Sequence, residues 1–224
     1  EEEKYNADFR LAARTAAHFG TEHHAVTITA TDVRDSFERV IYHMDEPVSN
    51  HIQPATYLLS QFAKKAVDVV LGGDGGDELF GGYDRYFYNA IVDRIRSLPA
   101  PLRHPAVLRA IGRATGKETL LSKVQTEQGL ERFLSFMAQK ENTVAGYLRR
   151  EVNRPEAARE AHAPYFRSID SDFTNQLMMT DVRTWLPDES LIRSDKLTMA
   201  FALEERVPIL DHRYRGEVFW SSPF

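Results

Sequence analysis

The residues best suited by type and spacing to do chemistry lie in one stretch, Gly72-Gly73-Asp74-Gly75-Gly76-Asp77-Glu78-Leu79-Phe80-Gly81-Gly82-Tyr83, which follows the apolar run Val69-Val70-Leu71. It holds half of the chain's 12 glycines. Where glycine removes Cβ, backbone N–H groups can approach a ligand closely, and Gly72, Gly73, Gly75 and Gly76 have the pattern of such a cradle. Asp74, Asp77 and Glu78 would repel a phosphate unless a divalent cation stood between them. Mg²⁺ commonly takes one or two carboxylates plus substrate phosphates. The stretch therefore points to a nucleotide with Mg²⁺, against the plainer reading of ordinary Gly/Asp turn chemistry.

Three other loop motifs can be tested letter by letter. A Walker A loop needs Gly, four residues, then Gly-Lys-Ser/Thr; Gly76 and Gly81 have the gap, but Gly82 stands where lysine is required. A dinucleotide fingerprint begun at Gly73 and Gly75 meets Glu78 where its third glycine belongs. A calcium β-roll nonapeptide does fit Gly72 to Phe80, yet Asp84 breaks the next copy, and that architecture needs stacked repeats.

The elements that must position this loop can be read outward from it. Val69 to Leu71, with Asp68, has the composition of a buried strand, and ligands of open α/β sheets sit beyond the carboxyl ends of strands. Before it, Asn6 is a candidate cap for an amphipathic helix with Phe9, Ala12, Ala13 and Ala16 on one face and Gly20 as its stop. His24, Val26 and Ile28 alternate as in a strand. Thr31 is a candidate cap for a second helix, whose face Val33, Phe37, Val40, Ile41 and Met44 belongs in a core. Asp45-Glu46-Pro47 ends it, and a third helix starts at Pro54 and carries Tyr57, Leu58 and Phe62. Alternating helix and strand predicts a parallel sheet.

From Tyr83 to Leu186 no convincing strand is found. Segments around Ala90, Leu108, Leu121 to Ala138, Val144 to Arg150 and Thr174 to Leu186 read as helices, separated at Pro99-Ala100-Pro101, Pro105, Pro155 and Pro164. A second charged cluster follows in Leu186-Pro187-Asp188-Glu189-Ser190-Leu191-Ile192-Arg193-Ser194-Asp195-Lys196, leading to Glu204-Glu205-Arg206-Val207-Pro208. Adjacent Asp195 and Lys196 cannot share a helix face. Taken alone, the cluster reads as a solvated ion-pair helix.

Composition narrows the classes. A net charge of −5 with mixed signs argues against a general nucleic-acid surface. No apolar run approaches the roughly 20 residues of a membrane span and no signal pattern opens the chain, so a cytoplasmic protein is expected. Zero cysteines exclude thiolate metal sites and a cysteine nucleophile within this sequence. The histidines lack a His-Glu-x-x-His pattern, and His23 and His24 would face opposite ways in a strand. Trp185, Phe201, Phe219 and Trp220 read as core or interface aromatics rather than a base-stacking platform.

With both clusters in view, the chain resembles the synthetase domain of glutamine-hydrolysing asparagine synthetases. Gly72 to Tyr83, Arg193-Ser194-Asp195-Lys196 and Leu203 to Asp211 carry the likeness, with Met44-Asp45-Glu46-Pro47 and Pro54-Ala55-Thr56-Tyr57. The resemblance implies an α/β adenine-nucleotide α-hydrolase-like fold: residues 1–88 form the carboxyl-terminal part of the nucleotide core, and 89–224 form a helical portion that returns Lys196 to the site. It implies ATP and Mg²⁺, adenylation of the β-carboxylate of aspartate, and displacement of AMP by glutamine-derived ammonia. By motif position Gly72 and Gly73 would contact ATP, with Gly75, Gly76 and Tyr83 completing the nucleotide set. Asp77 would hold the metal. Asp74 and Lys196 would be catalytic, Asp74 in forming the intermediate and removing a proton from the attacking amine, Lys196 in neutralising charge on the α-phosphate. Asp45, Glu46, Glu78, Asp195 and Arg206 are candidates for binding substrate.

Departures from the family pattern carry expectations of their own. Many asparagine synthetases place glutamate at the position of Asp74, and the shorter aspartate leaves room for a relative that amidates another carboxylate. The family's serine-glycine-glycine pyrophosphate loop and amino-terminal glutaminase have no counterpart here, so the chain is expected to be a fragment of a longer enzyme and inactive alone. Exposed apolar faces at Phe9 and Val26 would follow from the lost sheet strand and helix. A catalytically silent nucleotide-binding module and a calcium-binding module are the competing classes. Partners implied are small molecules and the glutaminase, with no nucleic acid or membrane; homo-oligomer formation stays open.

Overall fold

In a computed structural model of the chain, residues 2–46, 50–126, 128–137, 146–149, 151–154 and 156–213 are described, the side chains of 2–8 excepted. The chain divides into two compact units, Glu1–Asp68 with Lys196–Glu204, and Val69–Asp195 with Glu205–Phe224.

The first unit is helical. Helix α1 runs Glu2–Phe19 and stops at Gly20 in the left-handed conformation, so Asn6 lies inside it and is not its cap. Helix α2, Ala30–Met44, is capped by Thr29 rather than Thr31: the Thr29 hydroxyl accepts from the Asp32 N–H while the Asp32 carboxylate accepts from the Thr29 N–H. That reciprocal box satisfies two otherwise orphaned donors. Helix α3, Gln53–Ala63, carries Pro54 in its first turn. The core joins Val40 and Met44 of α2 to Tyr57 of α3 and to Leu197, with Leu58, Ala200 and Phe201 against it. Phe37 and Ile41, expected on the same buried face, are about half exposed.

Residues 21–29 form no strand. Strands exist by pairing, and the alternation of His24, Val26 and Ile28 finds no ladder partner among the described residues. Val26 and, on α1, Phe9 are exposed.

A small parallel sheet pairs β1, Val69–Leu71, with β2, Glu204–Arg206. The Glu204 N–H donates to the Asp68 carbonyl at 2.9 Å and the Gly72 N–H to the Arg206 carbonyl at 2.8 Å. The described chain is thus mostly helical with a small parallel sheet, which is consistent with an α/β nucleotide-binding fold; the larger sheet expected from the sequence is not seen.

The second unit is built from α4, Gly76–Phe80; α5, Asp84–Arg96; α6, Pro105–Thr115; α7, Glu118–Ser122; α8, Leu130–Met137; α9, Ala157–Arg167; and α10, Phe173–Arg183. A π-helical turn, Leu186–Leu191, then feeds α11, Ile192–Met199, whose last four residues belong to the first unit. The helix read over Leu121 to Ala138 is interrupted, with Gly129 at φ +128° just before α8. Pro105 marks the boundary by opening α6, where its missing N–H is no loss, whereas Pro164 lies inside α9 and separates nothing. Of Val144 to Arg150, residues 146–149 form a turn rather than a helix and the others lie outside the described residues, as do Pro47, Pro155, Phe219 and Trp220.

Tyr86, Phe133, Phe166, Phe173 and Leu177 make the main core here, and Val92, Leu108, Leu121 and Val124 a second. Charge is buried beside the first. Asp181 is fully buried and accepts from Tyr86 Oη at 2.6 Å and from Arg85 Nε at 3.0 Å. Arg132, also fully buried, donates to Asn89 at 3.2 Å and pairs with Asp93.

Candidate active site

In the second unit the Gly-rich loop leaves the carboxyl end of β1 as the sequence requires. Gly75 has φ +86° and caps α4, and a Cβ there would collide with Leu210, so glycine is needed twice over. At Gly72 a Cβ would meet the carboxyl end of the Glu205 side chain, which would have to move. The Gly72 N–H is taken by β2, whereas Gly73 is exposed with open space where a Cβ would stand, and Gly76 is half-buried.

Asp74 is half-buried and held at both oxygens. Ser190 Oγ donates to Oδ1, and Ser194 Oγ donates to Oδ2 at 3.2 Å. The two serines are four residues apart on the π turn and α11, so their hydroxyls share a face. Both are buried. A π turn carries an additional residue and is frequent at functional sites. Behind them Glu189 and Arg193 pair at 3.1 Å, and Arg193 Nη2 also donates to Ser190 Oγ at 3.3 Å.

Glu205 closes the cluster. Burial raises its pKa, helped by the charge of Asp74 and by a hydrogen bond to that carboxylate; Asp195 adds in the same direction and Arg193 opposes it. Ser190, Ser194 and Glu205 were given no role by the sequence reading. The spacing of the serines and the strand alternation that turns Glu205 away from Glu204 and Arg206 were the signals for them.

Asp77 is exposed in the first turn of α4, with its carboxylate against Gly82. Glu78 is 1 % exposed and accepts from Tyr83 Oη at 2.6 Å, and Trp185 Nε1 donates to the same phenol at 3.3 Å. Burial pushes the Glu78 carboxyl and the Tyr83 phenol up. Both side chains are therefore engaged inside the unit, and Arg85 lies 3.8 Å over the Tyr83 ring. Asp195 and Arg206 are exposed. Among the described residues no three His, Cys, Asp or Glu side chains cluster as a metal site.

The first unit brings Lys196 and Asp45 together. Asp45, in the left-handed conformation at the carboxyl end of α2, accepts from Lys196 Nζ at 2.5 Å, and that bond holds its pKa below the usual carboxylate range. Glu46 beside it is exposed.

A family model described as asparagine synthase matches residues 1–223. The chain belongs to the asparagine synthase family. It is similar to asparagine synthetase [glutamine-hydrolyzing] 1 of Bacillus subtilis, 30% identical over 206 residues, which cover 90% of this chain and 32% of that protein. A putative asparagine synthetase [glutamine-hydrolyzing] of Mycobacterium bovis is 30% identical over 212 residues, 92% of this chain and 32% of its own length. Asparagine synthetase B [glutamine-hydrolyzing] of Escherichia coli is 38% identical over 86 residues, 37% of this chain and 15% of that protein. The chain thus spans about a third of the asparagine synthase relatives that it matches over most of its length. No solved structure matches it. Among the described residues no helix is long and apolar enough to cross a membrane.

Proposed function

We propose that this chain is part of a cytoplasmic, ATP-dependent carbon–nitrogen ligase that adenylates the β-carboxylate of aspartate and then forms the amide with ammonia released from glutamine elsewhere in the enzyme. The observation that carries this reading is the glycine loop at the end of β1, exposed at Gly73, in which one carboxylate, Asp74, is fixed by two buried hydroxyls. A carboxylate held this firmly is suited to orient an attacking amine and take its proton.

The Gly73 and Gly76 backbone borders the triphosphate in this reading, and the half-buried Lys196, exchanging Asp45 for phosphate, meets the charge that develops as pyrophosphate leaves. Adenylyl transfer needs little covalent chemistry from the protein, and positioned cations supply most of the acceleration. Of the three loop carboxylates Asp74, Asp77 and Glu78, Asp77 is the exposed one, which fits Mg²⁺ arriving with the nucleotide phosphates rather than a cage made by protein alone. Mg²⁺ bound there would neutralise phosphate charge. Glu78 and Tyr83 support the loop from inside the unit.

Aspartate-dependent exchange of labelled pyrophosphate into ATP by the intact enzyme tests the reading. Exchange with aspartate is expected. Exchange driven only by a different carboxylate would reassign the acceptor, in keeping with the short side chain of Asp74, and none with any carboxylate would refute the ligase.

A further inference from the structure

Arg193 stands in the second charged cluster of the sequence, and the preceding reaction gives it no task. Its side chain is 11% exposed, and that of Glu189, one turn earlier, is 12% exposed. Arg193 Nε donates to Glu189 Oε1 at 3.1 Å, while Nη2 donates to Ser190 Oγ at 3.3 Å. A guanidinium has donors and no acceptor, so the serine oxygen is the acceptor in that contact. The hydroxyl has one proton to give, and it goes to Asp74 Oδ1.

That direction departs from the habit of helical hydroxyls in this chain. A serine or threonine on a helix can turn its hydroxyl back onto a carbonyl of the preceding turn. Ser60, Ser135, Thr180 and Thr184 all do so, at 2.7–2.8 Å. Ser190 donates to the loop instead. Its oxygen is tethered on one side by a guanidinium that is itself braced by Glu189, which holds the side chain in the rotamer that reaches Asp74. The cation also polarises the O–H bond toward the carboxylate. One turn on, Ser194 Oγ donates to Oδ2 at 3.2 Å. With both hydroxyls in place the carboxylate plane is fixed; with one gone, Asp74 can turn about the broad torsion of its last bond.

We propose that Arg193 is a positioning residue for amide formation: braced by Glu189, it keeps the Ser190 hydroxyl off its own helix and on Asp74, and so sets the plane of the carboxylate that takes the amine proton. The inference rests on the amide-ligase reading. In the step, an N–H bond of the attacking amine breaks, its electron pair stays on nitrogen and the proton passes to Asp74. A carboxylate has about four lone-pair sites, of which the serines take two, so a place for that proton remains. Arg193, Ser190 and Ser194 keep their own protons throughout.

The test is a double-mutant cycle in the intact enzyme. Its arms are Ser190→Ala and the pair Glu189→Gln with Arg193→Met, which removes both buried charges together so that neither is stranded. Ammonium-dependent amide formation is expected to fall about 10- to 100-fold more than ATP–pyrophosphate exchange in either arm. Combining the arms should cost less than about twofold beyond Ser190→Ala alone, because Arg193 acts through that hydroxyl. Losses that multiply, or wild-type amide formation in the Glu189→Gln/Arg193→Met enzyme, would overturn the proposal. Crystal structures of the same intact enzymes give a readout that does not depend on turnover. In the Glu189→Gln/Arg193→Met enzyme Ser190 Oγ is expected to swing to a carbonyl of its own helix and the Asp74 carboxylate to rotate; a Ser190–Asp74 contact left as it was overturns the role of Arg193. A wild-type enzyme inactive in both assays would sink the ligase reading alone, and the structures would still decide whether Arg193 sets Ser190.

Discussion

Replacing Asp181 by alanine removes the single anion around which α5 and α10 are joined. Both Tyr86 Oη and Arg85 Nε donate to its Oδ2, and Arg85 Nη2 lies 2.9 Å from the same oxygen. The Asp181 side chain is fully buried and that of Arg85 is 17% exposed with its Nη2 buried, so water can reach neither group freely once the acceptor is gone. Two unmade donors at about 1–3 kcal/mol each set the scale, and breaking a buried ion pair on one side costs about 3–5 kcal/mol. With a urea slope of about 2 kcal/mol/M, the unfolding midpoint should drop by about 1.5–2.5 M. Asp181→Asn keeps an oxygen for Tyr86 and loses only the charge. Because burial already raises the pKa of Asp181, the neutral variant should cost about 1–2 kcal/mol. Urea titrations followed by tryptophan emission measure both, since Trp185 sits beside Tyr83 and Arg85. A loss below about 1 kcal/mol for Asp181→Ala would refute the reasoning, as would an Asn variant no better than the Ala variant.

Lys196→Ala is expected to abolish ATP–pyrophosphate exchange in the intact enzyme while also returning the Asp45 carboxyl toward its ordinary pKa, which carboxyl NMR would register; unchanged exchange would remove Lys196 from the mechanism. The Glu205 pKa is raised on folding, so the folded chain keeps a proton that the unfolded chain loses above about pH 4.5, and stability from this group falls as pH rises through that window. The Tm difference between wild type and Glu205→Gln should therefore shrink or reverse from about pH 4 upward, and a pH-independent difference in calorimetry would contradict it. Gly75→Ala should destabilise by at least about 1–2 kcal/mol, from the left-handed φ and from the collision with Leu210, as read by urea unfolding; a neutral outcome would mean that the loop backbone relaxes.

The letters were most legible where local chemistry decides. Gly20 stops α1, Pro54 opens α3, and the glycine loop follows β1 as its composition requires. They failed where an element needs a distant partner. His24, Val26 and Ile28 alternate correctly for a strand, but alternation supplies a face and not the neighbouring backbone. Thr31 is a plausible cap by type, but Asp32, three residues after Thr29, completes a capping box with Thr29 and moves the helix start there. At the site, Asp74 and its loop were visible as a motif, whereas Glu205 was lost inside Glu204-Glu205-Arg206, where three charged neighbours look alike until β2 alternates them.

The wide turn Leu186–Leu191 has a consequence for sequence length. Asp181 at one end grips Arg85 and Tyr86, and Ser190 at the other grips Asp74, so the spacer between them works as a ruler pinned at both marks. Substitutions along its exposed side, at Pro187 or Asp188, change no measured length. A one-residue insertion or deletion would rotate everything beyond it by about 100° about the helix axis, and either the buried anion or the loop carboxylate would lose its grip. Homologous chains that keep both contacts are bound to keep this count.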